Sequence, residues 1–238
     1  MWNLTGKVSV TNQNILYYDR IASDYDRIME EDNFNEIVRQ KVANKFCDTV
    51  PPGLVLDFGG GTGKDMLWMT QKGYRIIFCE PSPEMRKKAI RLFKKNIPES
   101  DVLFLPKEKT DFTQWRTFPP FSEKADAILI NFAVLNCIKE IKSLFFSMAS
   151  VMNPGGNVFA LILDNRRDQM IRRSRRKTII NSVFNLPFRF SVYFGPYKQT
   201  VFIHTDKEIE NATTKYFELK SKETWDCCNY CLIHLVKK

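Results

Sequence analysis

The sequence lacks a long apolar run, a recognisable export signal and any internal repeat. Its longest apolar stretch, ADAILINFAVLNCI, is interrupted by Asp126, Asn131 and Asn136 and is shorter than the ~18 apolar residues that a membrane helix needs. We therefore expect no membrane span. The opening MWNLTGKVSV has no charged start followed by an apolar core, so we also expect no signal peptide and a cytoplasmic protein.

Potential metal ligands and catalytic bases are few. The six cysteines include a CCNYC cluster, but no second Cys/His pair follows at ligand spacing, so we expect reduced thiols and no metal. Disulfides are not expected in the cytoplasm. Of the two histidines, His234 lies in a terminal strand that is apolar on both faces and is interpreted as structural. His204 is the histidine that could reach a substrate as a general base.

Charge is unevenly distributed along the chain. The formal net charge is +9, and the segment 166–177 alone contributes +6 of it through six arginines and one lysine against Asp168. This cluster is either a solvated helix face in a variable insertion or a contact for an acidic substrate or partner. A single basic helix is weak evidence for nucleic acid unless stacking aromatics are interleaved with it.

Strand and helix patterns alternate along most of the chain, which is typical of an open α/β sheet. At 238 residues the chain can bury a core without metal or disulfide staples, so we expect one domain over 1–238. The last forty residues predict an antiparallel hairpin that completes the sheet. The predicted parallel strands are Leu54–Phe58, Arg75–Cys79, Val102–Leu105, Ala127–Phe132 and Asn157–Leu163.

Two segments fall outside this alternation. Residues of about 15–49 have a mostly helical pattern and precede the first strand, so we predict a helical cap over the sheet edge. Residues of about 165–204 contain the arginine cluster and then an aromatic, turn-rich stretch. We interpret this second segment as an insertion that covers a substrate.

The stretch VLDFGGGTGKD, residues 55–65, places a glycine-rich turn directly after the first strand, as nucleotide-binding folds do. A phosphate-binding loop would need a glycine where Phe58 stands and Ser or Thr where Asp65 stands. A dinucleotide fingerprint would need a glycine in place of Lys64. Neither pattern fits, so we expect neither nucleotide triphosphate hydrolysis nor NAD binding.

What remains is an acid followed by alternate glycines: Asp57, Gly59, Gly61 and Gly63. This resembles the D-x-G-x-G-x-G motif of class I S-adenosylmethionine-dependent methyltransferases, and Glu80 stands at the end of the second strand, where that family holds the ribose hydroxyls. The resemblance covers roughly residues 15–164 and the terminal hairpin, and it is closest to small-molecule members. It implies a Rossmann-like, mostly parallel seven-stranded sheet with helices on both faces, and S-adenosylmethionine as cofactor.

The resemblance also implies roles for individual residues. Glu108 matches the position that meets the adenine amino group, although Asp111 could serve instead, and Asn131 ends the fourth strand beside the methyl donor. The N-terminal tyrosines match a helix that closes over the cofactor, and Tyr193 lies in the insertion. The expected cofactor contacts are Tyr25, Asp57, Gly59, Gly60, Gly61, Glu80, Pro81, Met85, Glu108 and Asn131, and the expected substrate contacts are Tyr17, Tyr18 and Tyr193.

The sequence therefore predicts a methyltransferase that acts on a small-molecule oxygen or nitrogen by in-line transfer. The fourth-strand sequence INFA is not the Asn/Asp-Pro-Pro-aromatic turn of nucleic acid N-methylases, which disfavours a nucleic acid acceptor without excluding it. The alternative is a non-catalytic protein of the same fold that docks nucleic acid, a carrier protein or anionic lipid through 166–177. The acceptor's identity, the methylated atom and the oligomeric state are left open.

Overall fold

The computed structural model describes residues 9–96, 101–166, 188–225 and 228–238, and its centre is a seven-stranded sheet of order β3-β2-β1-β4-β5-β9-β8. A separate hairpin pairs β6 with β7. The strands are β1 Leu54–Phe58, β2 Arg75–Cys79, β3 Val102–Phe104, β4 Ala125–Ile130, β5 Met152–Leu163, β6 Phe188–Phe194, β7 Tyr197–Ile203, β8 Phe217–Thr224 and β9 Tyr230–Lys237.

Strands β1 to β5 pair in parallel, whereas β9 pairs antiparallel with both β5 and β8. The expected mostly parallel sheet with a C-terminal antiparallel hairpin is confirmed. Three strands have boundaries that differ from the prediction: β3 ends one residue earlier, β4 begins and ends two residues earlier, and β5 begins at Met152, which pairs with Ala125 before the Pro154–Gly156 loop. Regular pairing then starts at Asn157, as predicted.

Helices cover both faces of the sheet. The helices are α1 Val10–Ile21, α2 Tyr25–Glu30, α3 Asn33–Thr49, α4 Lys64–Gln71, α5 Pro83–Asn96, α6 Ile141–Val151 and α7 Asp206–Thr213, with short 3-10 turns at Lys107–Lys109, Phe112–Gln114 and Val134–Cys137. One apolar cluster joins α3, α4 and α5 to the sheet, and the other joins α6 and α7 to its opposite face. Burial on both faces explains why β1 is buried at every position.

The described chain contains no helix that combines the length and the apolar character needed to cross a membrane. Its five described cysteines, at 47, 79, 137, 228 and 231, are free thiols. Within the same residues, no group of three or more His, Cys, Asp or Glu side chains is arranged to hold a metal ion. The arginine cluster beyond Arg166 lies outside the described residues.

Helix α1 lies across the sheet end and is fastened to the β6–β7 hairpin by the buried side chain of Asn14. Its Oδ1 accepts from the Thr200 backbone N at 2.8 Å, and its Nδ2 donates to the Thr200 and Cys137 carbonyls at 3.0 Å each. At the other end of α1, Asp19 accepts from the Ser82 hydroxyl at 2.6 Å. The N-terminal helix is thus anchored on both sides of the sheet end.

Asn14→Ala tests this anchor. The substitution leaves the Thr200 amide and two carbonyls without their partner in a buried position, so we expect the free energy of unfolding to fall by ~2–4 kcal/mol. Urea denaturation measures it, with Asn12→Ala on the exposed side of the same helix as the matched control. A loss for Asn14→Ala no larger than that of the control would contradict the anchoring role.

Candidate active site

A cavity of about 510 Å³ opens at the carboxyl ends of β1, β2 and β4, beneath α1 and α2. This is the edge at which parallel α/β sheets bind ligands, because the loops leaving neighbouring strands diverge there. The glycine-rich turn forms its floor, and residues of the N-terminal helices close it from above. The cavity therefore joins the motif that the sequence singled out to the predicted cap.

The glycine-rich turn is shaped by positions where a side chain cannot fit. Gly59 and Gly61 have φ of +75° and +58°, a region that favours glycine. A Cβ on Gly60 would lie 2.3 Å from the Phe78 ring, and one on Gly59 would lie 2.5 Å from Val134. A Cβ on Gly61 would have only the Gly59 carbonyl oxygen nearby, at 4.0 Å, so Gly61 is the least crowded of the three glycines that line the cavity.

Gly63 and Lys64 have structural roles in this turn that differ from those in a phosphate-binding loop. Gly63 has φ of +86°, and a Cβ there would lie 2.4 Å from Met66 and 3.0 Å from Ala89. Its glycine therefore serves the close approach of α4 to α5. Lys64 begins α4 and forms an ion pair with Glu30 of α2, so its charge is already compensated.

Glu80, at the end of β2, is buried and receives two backbone hydrogen bonds. Its Oε2 accepts from Gly61 N at 2.9 Å, and its Oε1 accepts from Ser82 N at 2.7 Å. Burial raises the pKa of this carboxyl to about 7, against the lowering effect of the two backbone donors. Each oxygen keeps a further lone pair, so the carboxylate can accept from two ligand hydroxyls.

Asp57 is the last polar residue of β1 and is 1% exposed. Its Oδ2 is buried without a hydrogen-bond partner among the described residues. Burial, followed by the nearby carboxylates of Asp65 and Glu80, raises the pKa of Asp57 well above its usual range. An unpaired acid beside two others is costly in isolation, so this end of the cavity suits a ligand that brings positive charge.

Asp65 and Arg39 form a network that the sequence did not predict. The Arg39 guanidinium contacts Asp65 Oδ1 at 2.6 Å, and Trp68 Nε1 donates to the same oxygen at 2.9 Å. Asn131 Nδ2 donates to the other oxygen, Oδ2, at 2.9 Å. Asn131 lines the cavity, but its amide is committed to Asp65 and to the Phe132 backbone N at 3.0 Å.

The turn after β4 has an uncommon backbone. Phe132 and Ala133 have φ of +45° and +61°, which costs about 1–3 kcal/mol at each non-glycine residue. The Asn131 side chain and the Leu161 carbonyl, which accepts from Ala133 N at 2.8 Å, hold this conformation. The Arg39 guanidinium also lies 4.5 Å from the centre of the Phe132 ring, so α3 supports the turn directly.

The wall opposite the glycine turn combines aromatic, sulfur and aliphatic groups. Tyr18 and Tyr25 contribute from the N-terminal helices, and Cys137 and Ile138 contribute from the segment after β4. Burial raises the pKa of Tyr18, Tyr25 and Cys137. These groups therefore keep their protons at neutral pH and act as hydrogen-bond donors rather than bases.

Most of the residues predicted for the site line this one cavity. The predicted residues that do so are Tyr18, Tyr25, Asp57, Gly59, Gly60, Gly61, Glu80, Pro81, Met85 and Asn131. Four others are not among its lining residues. Tyr17 is buried with Ile21 and Met85, Tyr193 is 65% exposed on the hairpin, and Glu108 and His204 are described below.

Glu108 lies exposed in a short 3-10 turn, whereas its neighbours Lys107, Thr110 and Asp111 line the cavity. The alternative considered for the adenine contact, Asp111, is therefore the acid that the fold brings to the wall. His204 is buried, with Nε2 3.0 Å from the Ile138 carbonyl, and burial lowers its pKa. Because its ring lies behind the wall, we do not carry it forward as a general base.

The polar groups of the cavity, mainly carboxylate acceptors, fit the cofactor that the resemblance implies. Glu80 has free lone pairs for ribose hydroxyls, the unpaired Asp57 oxygen suits a cationic ligand, and the Gly61 backbone is open to close approach. A triphosphate would meet these carboxylates unfavourably. The fit thus favours S-adenosylmethionine, which carries an ammonium and a sulfonium and no phosphate.

Comparisons with known proteins identify the family and the fold. The family model described as "Methyltransferase domain" matches residues 25–211. A curated relative, the tRNA 5-carboxymethoxyuridine methyltransferase of Escherichia coli (strain K12), is 29% identical over 111 residues. That match spans 47% of this chain and 40% of the relative, so less than half of each protein is compared.

Solved structures share the fold at low sequence identity. One described as "DhpI-SAM-HEP complex" has a TM-score of 0.70 and 16% identity, covering 98% of this chain and all of that one. The Burkholderia thailandensis 1,6-didemethyltoxoflavin-N1-methyltransferase, solved with 1,6-didemethyltoxoflavin and S-adenosylhomocysteine, has a TM-score of 0.62 and 14% identity, covering 94% and 88% of the two chains. These likenesses support the Rossmann-like methyltransferase fold.

The raised pKa of Glu80 predicts a pH-dependent stability. The folded protein binds this proton more tightly than the unfolded chain does, so the stabilisation is complete below about pH 4.5 and is lost as pH rises through about 7. The loss is on the order of 3 kcal/mol. Urea unfolding at several pH values between 5 and 8 measures it, and Glu80→Gln should remove this component. Equal slopes for the two proteins would refute the assignment.

Proposed function

The chain belongs to the methyltransferase-domain family, and from that premise we propose that it transfers a methyl group from S-adenosylmethionine to an oxygen or nitrogen of a small molecule. The acceptor would occupy the part of the cavity lined by Tyr18, Tyr25 and Cys137. We further propose that the reaction takes place in the cytoplasm, a compartment in which the free thiols of the chain stay reduced.

The small-molecule proposal rests on the way that α1 and α2 cover the cavity. Asn14 and Asp19 tie α1 to the hairpin and to the start of α5, and Asp26 of α2 accepts from Thr62 in the glycine turn at 2.6 Å. The volume of about 510 Å³ lies within the ~300–1,000 Å³ typical of small-molecule sites. A macromolecular acceptor would have to present one extruded group of this size to the cavity.

The residues at the cofactor end have separable tasks. Glu80 would accept hydrogen bonds from the ribose hydroxyls, and Gly61 would offer its backbone to close approach. Asp57 would balance positive charge on the ligand, while Arg39 compensates the adjacent Asp65. When bound, S-adenosylmethionine supplies an electrophilic methyl group.

The residues at the acceptor end would contribute alignment and exclusion of water. Alignment of two reactants can supply ~7–11 kcal/mol of the barrier. The tyrosine and cysteine protons are retained at neutral pH, so the described wall offers donors that orient the acceptor. A nucleophile would then have to arrive with a free lone pair, as a neutral amine or an ionised oxygen does.

Two of the similar proteins are named for different kinds of methyl acceptor. The Burkholderia thailandensis neighbour is bound to a small molecule, which supports a small acceptor for this fold. The Escherichia coli relative is named for a tRNA nucleoside, which makes tRNA the acceptor that a test must separate from small molecules. The closure of the cavity by α1 and α2 favours the former.

A transfer assay with S-adenosylmethionine carrying a tritiated methyl group separates these acceptors. The protein is incubated with a protein-free small-molecule extract of cells, with total tRNA, or with both, and unreacted S-adenosylmethionine is then separated from the products by chromatography. We expect a labelled small-molecule product, lost with Glu80→Ala and retained with Glu108→Ala. Label confined to tRNA would overturn the small-molecule acceptor, and label in neither fraction would overturn the enzymatic proposal.

A further inference from the structure

The β6–β7 hairpin reaches the acceptor end of the cavity through one buried side chain, Gln199. Asn14 hydrogen-bonds to the backbone of Thr200, the residue after Gln199, and so fixes the position of β7 relative to α1. Gln199 is 8% exposed, and its amide lies between Tyr18 and Cys137, both of which line the cavity. Gln199 itself is not among the lining residues, so it acts on the cavity through these two neighbours.

The hydrogen bonds among Gln199, Tyr18 and Cys137 indicate which of these groups donates and which accepts. Gln199 Nε2 donates one hydrogen to the Tyr18 hydroxyl oxygen at 2.8 Å and the other to Cys137 Sγ at 3.2 Å. The Cys137 thiol donates to the Ala133 carbonyl at 3.7 Å. The Tyr18 hydroxyl therefore receives a hydrogen from Gln199 and has its own hydrogen left to donate.

The Tyr18 hydrogen has a weak partner within the protein. Apart from Gln199, the atom of the described chain within hydrogen-bond distance of the Tyr18 hydroxyl is Cys137 Sγ, at 3.5 Å. Thiol sulfur is a weak acceptor, and this one already receives a hydrogen from Gln199. An oxygen atom entering the cavity would be a stronger partner. Burial, which keeps Tyr18 protonated, preserves the donor.

We propose that Gln199 is a positioning residue that turns the Tyr18 hydroxyl into a hydrogen-bond donor for an oxygen of the methyl acceptor. The inference rests on the proposed function, because it concerns the acceptor end of the same cavity. It assigns to the hairpin a specificity role, and it favours acceptors that present an oxygen, such as a phenolate or a carboxylate, to Tyr18.

Four substitutions distinguish this hydrogen-bonding role of Gln199 from a role in packing alone. Tyr18→Phe removes the donor. Gln199→Glu replaces two hydrogen-bond donors by acceptors, so the Tyr18 hydrogen turns towards residue 199 and away from the cavity. Gln199→Met keeps a similar volume without adding charge, in case the buried carboxylate prevents folding. Tyr17→Phe is the matched control, because Tyr17 is adjacent in sequence and its ring contacts that of Tyr18, but Tyr17 is not among the lining residues.

The probe is 4-nitrophenol, whose ionisation is followed by absorbance and whose phenolate oxygen reports hydrogen-bond donation. It is titrated against pH with the protein in the presence and absence of S-adenosylhomocysteine, and calorimetry measures the binding of S-adenosylhomocysteine to each variant separately. For the wild type and Tyr17→Phe we expect the pKa of the bound probe to fall by about one unit or more. Tyr18→Phe and Gln199→Glu should lose most of that shift, and Gln199→Met, which removes the donor to Tyr18 without adding a strong competing acceptor, should lose part of it. All three should bind S-adenosylhomocysteine as the wild type does.

The two proposals fail in different ways. A wild-type protein that leaves the probe's pKa unchanged would overturn the donor role of Tyr18, and a shift that survives both Gln199 substitutions would overturn the positioning role of Gln199. Failure of the wild type to bind S-adenosylhomocysteine would instead overturn the proposed function, and the titration without that ligand would still decide the role of Tyr18.

Discussion

The site depends on the burial of three carboxylates, Asp57, Asp65 and Glu80, at one end of the sheet. Within the described chain, Arg39 is the cation in ion-pair contact with this group, through Asp65. Removing acids from water raises their pKa values and costs stability unless positive charge or hydrogen-bond donors compensate them. The glycine turn supplies a backbone donor to Glu80, but Asp57 keeps an unpaired oxygen. This arrangement is suited to a cationic ligand with hydroxyl groups.

Closure of the cavity depends on elements outside the sheet. Helix α1 is held by Asn14 and Asp19, and α2 is held at the glycine turn by Asp26, which also pairs with Lys88 at 2.9 Å. The same anchor that stabilises α1 sets the position of the hairpin and therefore of Gln199. Fold stability, exclusion of water and the orientation of Tyr18 thus share one set of contacts.

The sequence predicts the parts of the molecule that local pattern determines. The pattern of apolar strands ending in acids indicates strand ends at Asp57 and Glu80, and both residues line the cavity, because the period of burial along each strand is encoded locally. The Arg39–Asp65–Asn131 network could not be predicted, since its members come from α3, α4 and the end of β4. The side on which a helical residue faces also depends on tertiary packing. That is why Tyr17 and Tyr18 received the same expectation although only Tyr18 is among the lining residues. Glu108 in its 3-10 turn and His204 in the segment after β7 likewise depend on tertiary packing, and neither lines the cavity.

The central claim is that Glu80 and the glycine turn form the cofactor site, and calorimetric binding of S-adenosylhomocysteine tests it most directly. We predict saturable binding to the wild type and a loss of at least ~100-fold in affinity for Glu80→Ala, because two charge-assisted hydrogen bonds are removed. Glu108→Ala, which removes an exposed acid that is not among the lining residues, should bind as the wild type does. Wild-type affinity in Glu80→Ala would contradict the account.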